Sequence, residues 1–285
     1  MPKTILIQLD CDPQPSTFDA IVAVDAGADV LLRHGGVTPD TVAPLVHGAM
    51  FTRGGPDLAA TAIFIGGSDV AAAEAVAERV RGTFFGPVRV GVMVDPNGAN
   101  TTAAAAVIAA ARHVTLGADC RAVVLGGTGP VGQRVVRLLA GKGVRVTLAS
   151  RSLNRAAEAA RRIAMVVPGA DVTPVGADGG LGAALAAATL IVAAGAAGAT
   201  LLDEPARRAT AAARVIIDLN AVPPAGIAGV AATDKARPEG GAVLYGALGV
   251  GGTKMKIHKA AVARIFADPA AFLDAEQLLA IGEHA

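Results

Sequence analysis

The chain has 285 residues, 17% of them charged, with a net charge of +1, no tryptophan and 3% aromatic residues. That length holds one large or two ordinary domains, and their core must be built from Ala, Val, Leu and Ile. Without a run of Lys or Arg, nothing points to nucleic acid or to an acidic membrane surface. The two cysteines, Cys11 and Cys120, lie far apart and in no metal-ligand spacing, so neither a structural disulfide nor a metal is expected.

Strands and helices alternate through the first hundred residues. Thr4 to Leu9 reads as a strand rather than a signal peptide, because its apolar run is short and ends in acid. Ser16 to Ala26 reads as a helix capped by Ser16 or Thr17, followed by a short strand, Val30 to Arg33. Thr38 as cap and Pro39 at the first position predict a helix running to about Met50. A strand (Thr61 to Ile65), an amphipathic helix (Asp69 to Val80) and another strand (Arg89 to Val94) follow. The alternation predicts a parallel sheet with helices on both faces. After a turn at Asp95-Pro96-Asn97-Gly98, Asn100, Thr101 and Thr102 read as caps of a helix from Ala103 to His113. The alanine tract there is too short to span a bilayer.

The most informative stretch is Arg121 to Ser152. A strand (Ala122 to Leu125) leads into G-x-G-x-x-G at Gly127, Gly129 and Gly132; a helix (Val131 to Ala140) and a second strand (Val144 to Ala149) follow. This is a dinucleotide-binding βαβ unit. Gly127 is assigned the tight turn, Gly129 the approach of a pyrophosphate, and Gly132 the close helix–strand contact. Thr128, Pro130 and Val131 complete the turn at a helix N-terminus, which favours a phosphate. The second strand ends Ala149-Ser150-Arg151-Ser152, with Arg155 one turn on, and has no carboxylate to hold a ribose 2′-hydroxyl. Ser150, Arg151, Ser152 and Arg155 therefore point to a 2′-phosphate and to NADP, with NAD a poorer substitute.

A helix is expected from Leu153 to Met165, and strands at Leu190 to Ala193, Val215 to Leu219 and Val243 to Tyr245. Three stretches follow these strands. Ala193 to Gly198 is small enough for Ala194 to touch adenine or a nicotinamide ribose. Asn220, before Pro223-Pro224, is placed to hold a nicotinamide carboxamide. Gly246 to Gly252 is so rich in glycine that backbone must approach something closely. Lys254 follows, at the expected start of a helix from Gly252 to Phe266. It either serves chemistry there or is solvated beside Lys256 and Lys259. A last helix, Asp274 to Ile281, is expected to fold back on the first domain. The histidines form no catalytic or metal pattern, and no GxSxG, P-loop or CxxC occurs, which removes hydrolase, kinase and metal-enzyme readings.

Several blocks carry a resemblance over nearly the whole chain: STFD at 16–19, FTRGG at 51–55, TAIFIGG at 61–67, DPNGANTTAAA at 95–105, GTGPVG at 127–132, NAVPPAGI at 220–227, ATDK at 232–235 and GALGVGGTK at 246–254. In this order and spacing the sequence resembles the methylene-tetrahydromethanopterin dehydrogenases of methylotrophic bacteria, in their NADP-dependent branch. The resemblance implies an α/β fold with a smaller pterin-binding domain (residues 1–100), a Rossmann NADP domain (101–265), a cleft between them and a closing C-terminal helix (266–285). It implies hydride transfer from the methylene bridge of the pterin to NADP in one-carbon oxidation. Lys254 becomes the active-site lysine, and Asp19, Asn100 and Thr102 the polar contacts to the pterin. For those three, capping and turn roles remain the alternative. Methylene-tetrahydrofolate is the alternative substrate, and a non-catalytic NADP(H) sensor the alternative class. A cytoplasmic homo-oligomer is expected.

Overall fold

The computed structural model describes residues 2–177 and 179–284. The chain divides into two compact units, Met1–Thr101 with Met255–Ala285, and Thr102–Lys254. The second unit thus ends at Lys254 rather than at residue 265. The reason is that a single helix carries the chain out of it, and the later turns of that helix pack with the first unit.

In chain order the elements begin β1 (Ile5–Asp10), α1 (Thr17–Asp25), β2 (Val30–His34), α2 (Ala43–Phe51), β3 (Thr61–Gly66), α3 (Val70–Thr83), β4 (Gly91–Val94) and α4 (Ala99–Ala111). Ser16 caps α1, accepting from Asp19 N, and Asp69 caps α3, accepting from Ala72 N. Two expected helix starts move. α2 begins at Ala43, because Thr41 Oγ1 accepts from Thr38 N at 3.0 Å and folds 38–42 into a separate turn. α4 begins at Ala99, because Asp95 accepts the backbone N–H groups of both Asn100 and Thr101. Asn100, Thr101 and Thr102 are therefore inside the helix, not before it.

The second unit continues β5 (Arg121–Leu125), α5 (Pro130–Gly141), β6 (Arg145–Ala149), α6 (Leu153–Val166), β7 (Val172–Val175), α7 (Leu181–Ala187), β8 (Leu190–Ala193), α8 (Glu204–Arg208), β9 (Val215–Asp218), β10 (Lys235–Glu239), β11 (Ala242–Tyr245) and α9 (Ala247–Ala267). The chain closes with β12 (Phe272–Leu273) and α10 (Ala275–Glu283). The sheet order is β10-β11-β9-β8-β5-β6-β7. All neighbours are parallel except β10–β11. Leaving out β10, this is the doubly wound dinucleotide order, with its reversal between β5 and β8. β7 and β10 were not legible as strands, since both contain proline (Pro174, Pro238). Both are edge strands, where proline is tolerated.

The first unit holds a parallel sheet ordered β12-β4-β3-β1-β2. β12 pairs with β4, Phe272 against Val92 and Leu273 against Met93, so the C-terminal segment is part of this sheet. Both cores are aliphatic, around Ile63, Ile65, Val76 and Val92 in one unit and Val123, Ile191, Ile216 and Leu244 in the other.

Candidate functional site

The glycine turn after β5 divides its roles differently from the fingerprint reading. Gly126, not Gly127, makes the tight turn. Its φ is +69°, and a Cβ there would lie 2.6 Å from Gly195 Cα. Gly127 and Gly132 serve packing: a Cβ on the first would meet Leu148 Cγ at 2.8 Å, and on the second Gly126 O at 2.5 Å. Gly129 differs from both. Its φ is −74° and a Cβ would make only ordinary contacts, 3.4 Å from Ala194 O and Gly126 O, and the glycine borders open space. Gln133 Nε2 donates to Thr128 O at 2.8 Å and holds the turn onto α5.

That space belongs to a cavity of about 700 Å³ in the second unit, within the usual range for a ligand site. It opens at the ends of β5, β6 and β8, through Leu125, Ala149 and Ala194, at the reversal of strand order. Thr128, Gly129, Ser150, Arg151 and Arg155 also line it. Thr128 Oγ1 and Ser150 Oγ are 3.3 Å apart, joining the glycine turn to the end of β6. Arg151 and Arg155 are exposed, and neither is paired with a carboxylate among the described residues.

Four expected cofactor contacts, besides Gly127 and Gly132, have other places or roles. Pro130 and Val131 form the first turn of α5, where backbone N–H groups lack intrahelical acceptors. Ser152 does not line the cavity; its Oγ accepts from Arg155 N and caps α6. Asn220 does not line it either. Its Oδ1 accepts from Val222 N and its Nδ2 donates to Pro224 O, both at 3.0 Å, so its own loop uses both ends of the amide. Ala194 is at the cavity wall.

Asp218, at the end of β9, was missed. It is 2% exposed and accepts from Asn220 N and Ile227 N, each at 3.0 Å. Burial pushes its carboxyl above the usual carboxylate range, against those backbone donors. The loop it gathers bonds to the cavity wall, where Leu201 N donates to Gly226 O at 2.7 Å. No sequence pattern marks such a residue, because its partners are backbone groups of a loop with no fixed period.

Lys254 lies about two turns inside α9, not at its start, and so is away from the N-terminal end where the helix dipole disfavours a cation. The helix starts early because the 231–235 segment caps it. Leu248 N donates to Ala232 O at 2.8 Å and Gly246 N to Asp234 O at 2.9 Å. Gly246 and Gly249 are glycine for this contact: Cβ atoms there would lie 2.0 Å from Ala231 O and 1.8 Å from Asp234 O. At those two positions the glycine run approaches its own backbone. Gly251 and Gly252 face open space. Lys254 Nζ donates to Thr102 Oγ1 at 3.1 Å, which brings together two of the expected site residues.

In the first unit, the ends of β1, β3 and β4 gather Asp10, Gly66 and Asp95. A Cβ on Gly66 would lie 3.4 Å from Asp10 Oδ2 and 3.7 Å from Asp19 Oδ2, so both carboxylates flank this glycine. Asp10 accepts from Asp12 N and Ser16 N and shapes the loop that presents Asp19. Gln8 and Arg33 brace the same loop: Gln8 Nε2 donates to Ser16 O, and Arg33 Nη2 to Pro15 O. Asn100 is fully buried, with Nδ2 donating to Val94 O at 2.7 Å and to Asp274 Oδ1 at 2.8 Å. His258 is buried too, its Nδ1 3.9 Å from Asp95 Oδ2 and its ring stacked on Phe64.

Residues 17–97 match the family described as methylene-tetrahydromethanopterin dehydrogenase, N-terminal. The chain is 43% identical to the bifunctional protein MdtA of Methylorubrum extorquens over 98% of its own length and 97% of that protein's. It belongs to the methylene-tetrahydromethanopterin dehydrogenase family. A second relative from the same organism, an NAD(P)-dependent methylenetetrahydromethanopterin dehydrogenase, is 35% identical over 89% of both chains. Among solved structures, quinate dehydrogenase from Corynebacterium glutamicum in complex with NAD covers 99% of both chains at 16% identity, with a TM-score of 0.55. That is a likeness of fold. The matched N-terminal segment of this methylene-tetrahydromethanopterin dehydrogenase family member holds Asp19, Gly66 and Asp95, and lies wholly within the first unit. Among the described residues no group of His, Cys, Asp and Glu could hold a metal, and no helix is long and apolar enough to cross a membrane.

Proposed function

We propose that the protein oxidises methylene-tetrahydromethanopterin with NADP. A hydride leaves the methylene bridge with its two electrons for C4 of the nicotinamide, and a methenyl cation remains on the pterin. The observation that carries the nucleotide half is the cavity at the strand-order reversal, open above Gly129 and ended by Ser150, Arg151 and Arg155 with no carboxylate on β6. The relative named as an NAD(P)-dependent methylenetetrahydromethanopterin dehydrogenase and the family match support the pterin half.

The bound nucleotide supplies the hydride acceptor. The chain's own groups bind and orient. The first turn of α5 and Gly129 take the pyrophosphate, and Arg151 and Arg155 the 2′-phosphate. The first unit takes the pterin, with Asp19 as its polar contact. Asn100 acts through position, because the hydrogens of its amide are committed to Val94 and Asp274. Lys254, held by Thr102, orients the pterin. Its ammonium would repel the cationic product and so disfavours holding it too tightly. Hydride transfer needs no proton relay. It needs the two rings held at near-attack distance with water excluded, which suits a site with few acid–base residues.

The test is the absorbance of NADPH followed with methylene-tetrahydromethanopterin and methylene-tetrahydrofolate, each against NADP and NAD. The expected result is turnover with the first carrier and NADP, and slower turnover with NAD. Preference for the folate would move the substrate assignment, and no reduction with either carrier would leave a nucleotide-binding sensor.

A further inference from the structure

Asp274 caps α10 in a capping box with Gln277, whose Oε1 accepts from Asp274 N at 3.1 Å. Its Oδ1 also accepts from Asn100 Nδ2, 174 residues away in sequence. α10 does not need this second contact, since the box already satisfies its first turn. Nor does α4 need it as a cap. Asp95 Oδ1 already takes Asn100 N and Thr101 N, at 2.9 and 3.0 Å, and Asp95 Oδ2 takes Thr101 Oγ1 at 2.6 Å. What the contact settles is the orientation of a fully buried amide. Nδ2 has two hydrogens; one goes to Val94 O at the end of β4 and the other to Asp274. Removing the Asp274 acceptor would leave a buried donor unmet and allow the amide to turn. Asp274 reaches this place because β12 extends the sheet beside β4, immediately before it.

We propose that Asp274 is a positioning residue for the reaction. It holds Asn100, and with it the first turn of α4, whose next residues include the Thr102 that receives Lys254. The C-terminal segment thereby completes the substrate side of the site without touching substrate. This rests on the functional reading above.

Two variants separate capping from positioning. In Asp274→Ser the shorter side chain keeps the N-cap but falls short of Asn100. In Asp274→Asn both the cap and an acceptor for Asn100 remain. With the full chain, Asp274→Ser is expected to melt within a few degrees of wild type and to bind NADP equally well. Its turnover with methylene-tetrahydromethanopterin should fall roughly ten- to a hundred-fold, as misplacement of a reacting group does. Asp274→Asn should restore most of that loss. Hydrogen exchange at residues 99–103 should speed up in the Ser variant alone, while peptides from β5 and α5 keep their rates. Wild-type turnover and unchanged exchange in Asp274→Ser would overturn the proposal. So would a parallel loss of melting temperature, NADP binding and turnover, which marks a cap and nothing more. If the wild-type enzyme reduces no NADP with either carrier, the functional reading fails, and exchange at 99–103 still decides whether Asp274 anchors α4.

Discussion

Lys254 Nζ donates to Thr102 Oγ1 across 3.1 Å, and these are the last and first residues of the second unit. A lysine two turns inside a helix and a threonine in the first turn of another are thus held together where the chain enters and leaves that unit. The pairing gives Lys254 a fixed position. A solvated lysine would have none, and that decides which alternative is worth testing.

Lys254→Ala should lower turnover by roughly a hundred-fold while leaving the NADP dissociation constant within about two-fold, as expected for a group that orients substrate only. Calorimetry for NADP and initial rates for the pterin check it. A loss of NADP affinity comparable to the loss of turnover would place the ammonium on the nucleotide instead.

Arg151→Ala should raise the Michaelis constant for NADP by about ten- to a hundred-fold and leave that for NAD nearly unchanged, since a charge-assisted contact to phosphate contributes about 1.5–3 kcal/mol. Ser152→Ala should not change nucleotide preference. Its hydroxyl caps α6, and its loss costs about 1 kcal/mol of stability. Rates with both nucleotides, and melting curves of both variants, test the pair.

The glycines of the turn should fail in different ways. Gly129→Val is expected to fold and to lose NADP binding, because its Cβ makes only ordinary contacts with backbone, 3.4 Å from Ala194 O and Gly126 O, while its methyl groups take up space in the cavity that Gly129 lines. Gly132→Val and Gly126→Ala should destabilise the second unit by about 1–3 kcal/mol or more, since each drives a Cβ into backbone. Urea unfolding and NADP titration separate the classes. Tight NADP binding by Gly129→Val would remove that cavity as the pyrophosphate site.

Asp218 ties stability to pH. Its folded-state pKa is raised by burial, so the native state holds this proton more tightly than the unfolded chain does. Stability from this group is fully present below the unfolded carboxylate pKa of about 3.9 and is lost as pH rises through the folded value. Asp218→Asn has no such titration. It also turns an amide toward a backbone N–H that needs an acceptor, and so should be less stable by about 1–3 kcal/mol. The gap between wild type and variant in urea unfolding should narrow as the pH is raised from 4 to 7. A gap that widens over that range would contradict the sign.

Cys11 should resist alkylation. Burial comes first, then Asp10, Asp12 and Asp69, and together they push its thiol up to about 11. At pH 8 almost no thiolate exists, and only the thiolate reacts. Iodoacetamide labelling, with peptide mapping, should be many times slower at Cys11 than at a free thiol of small peptides. Rapid labelling at pH 8 would show that the acidic surroundings do not act on the sulfur.

The alternation of apolar runs with capped polar stretches determined the α/β class, and the G-G-T-G turn before Ser150-Arg151 marked the cavity proposed for the nucleotide. Both are local. A strand, a helix start and a glycine turn are specified by neighbours within a few residues, so spacing alone exposes them. Three strands were illegible: β7 and β10 sit at sheet edges, where proline and charge are tolerated and the pattern weakens, and β12 is only two residues long. Only the tertiary structure decided what the glycines and polar residues do. Gly246 and Gly249 proved to meet Ala231 and Asp234, Asn220 its own loop, and Asn100 an aspartate 174 residues away. Such contacts depend on which distant backbone and side-chain groups arrive at the same place. That follows from the packing of whole elements, and no residue spacing encodes it.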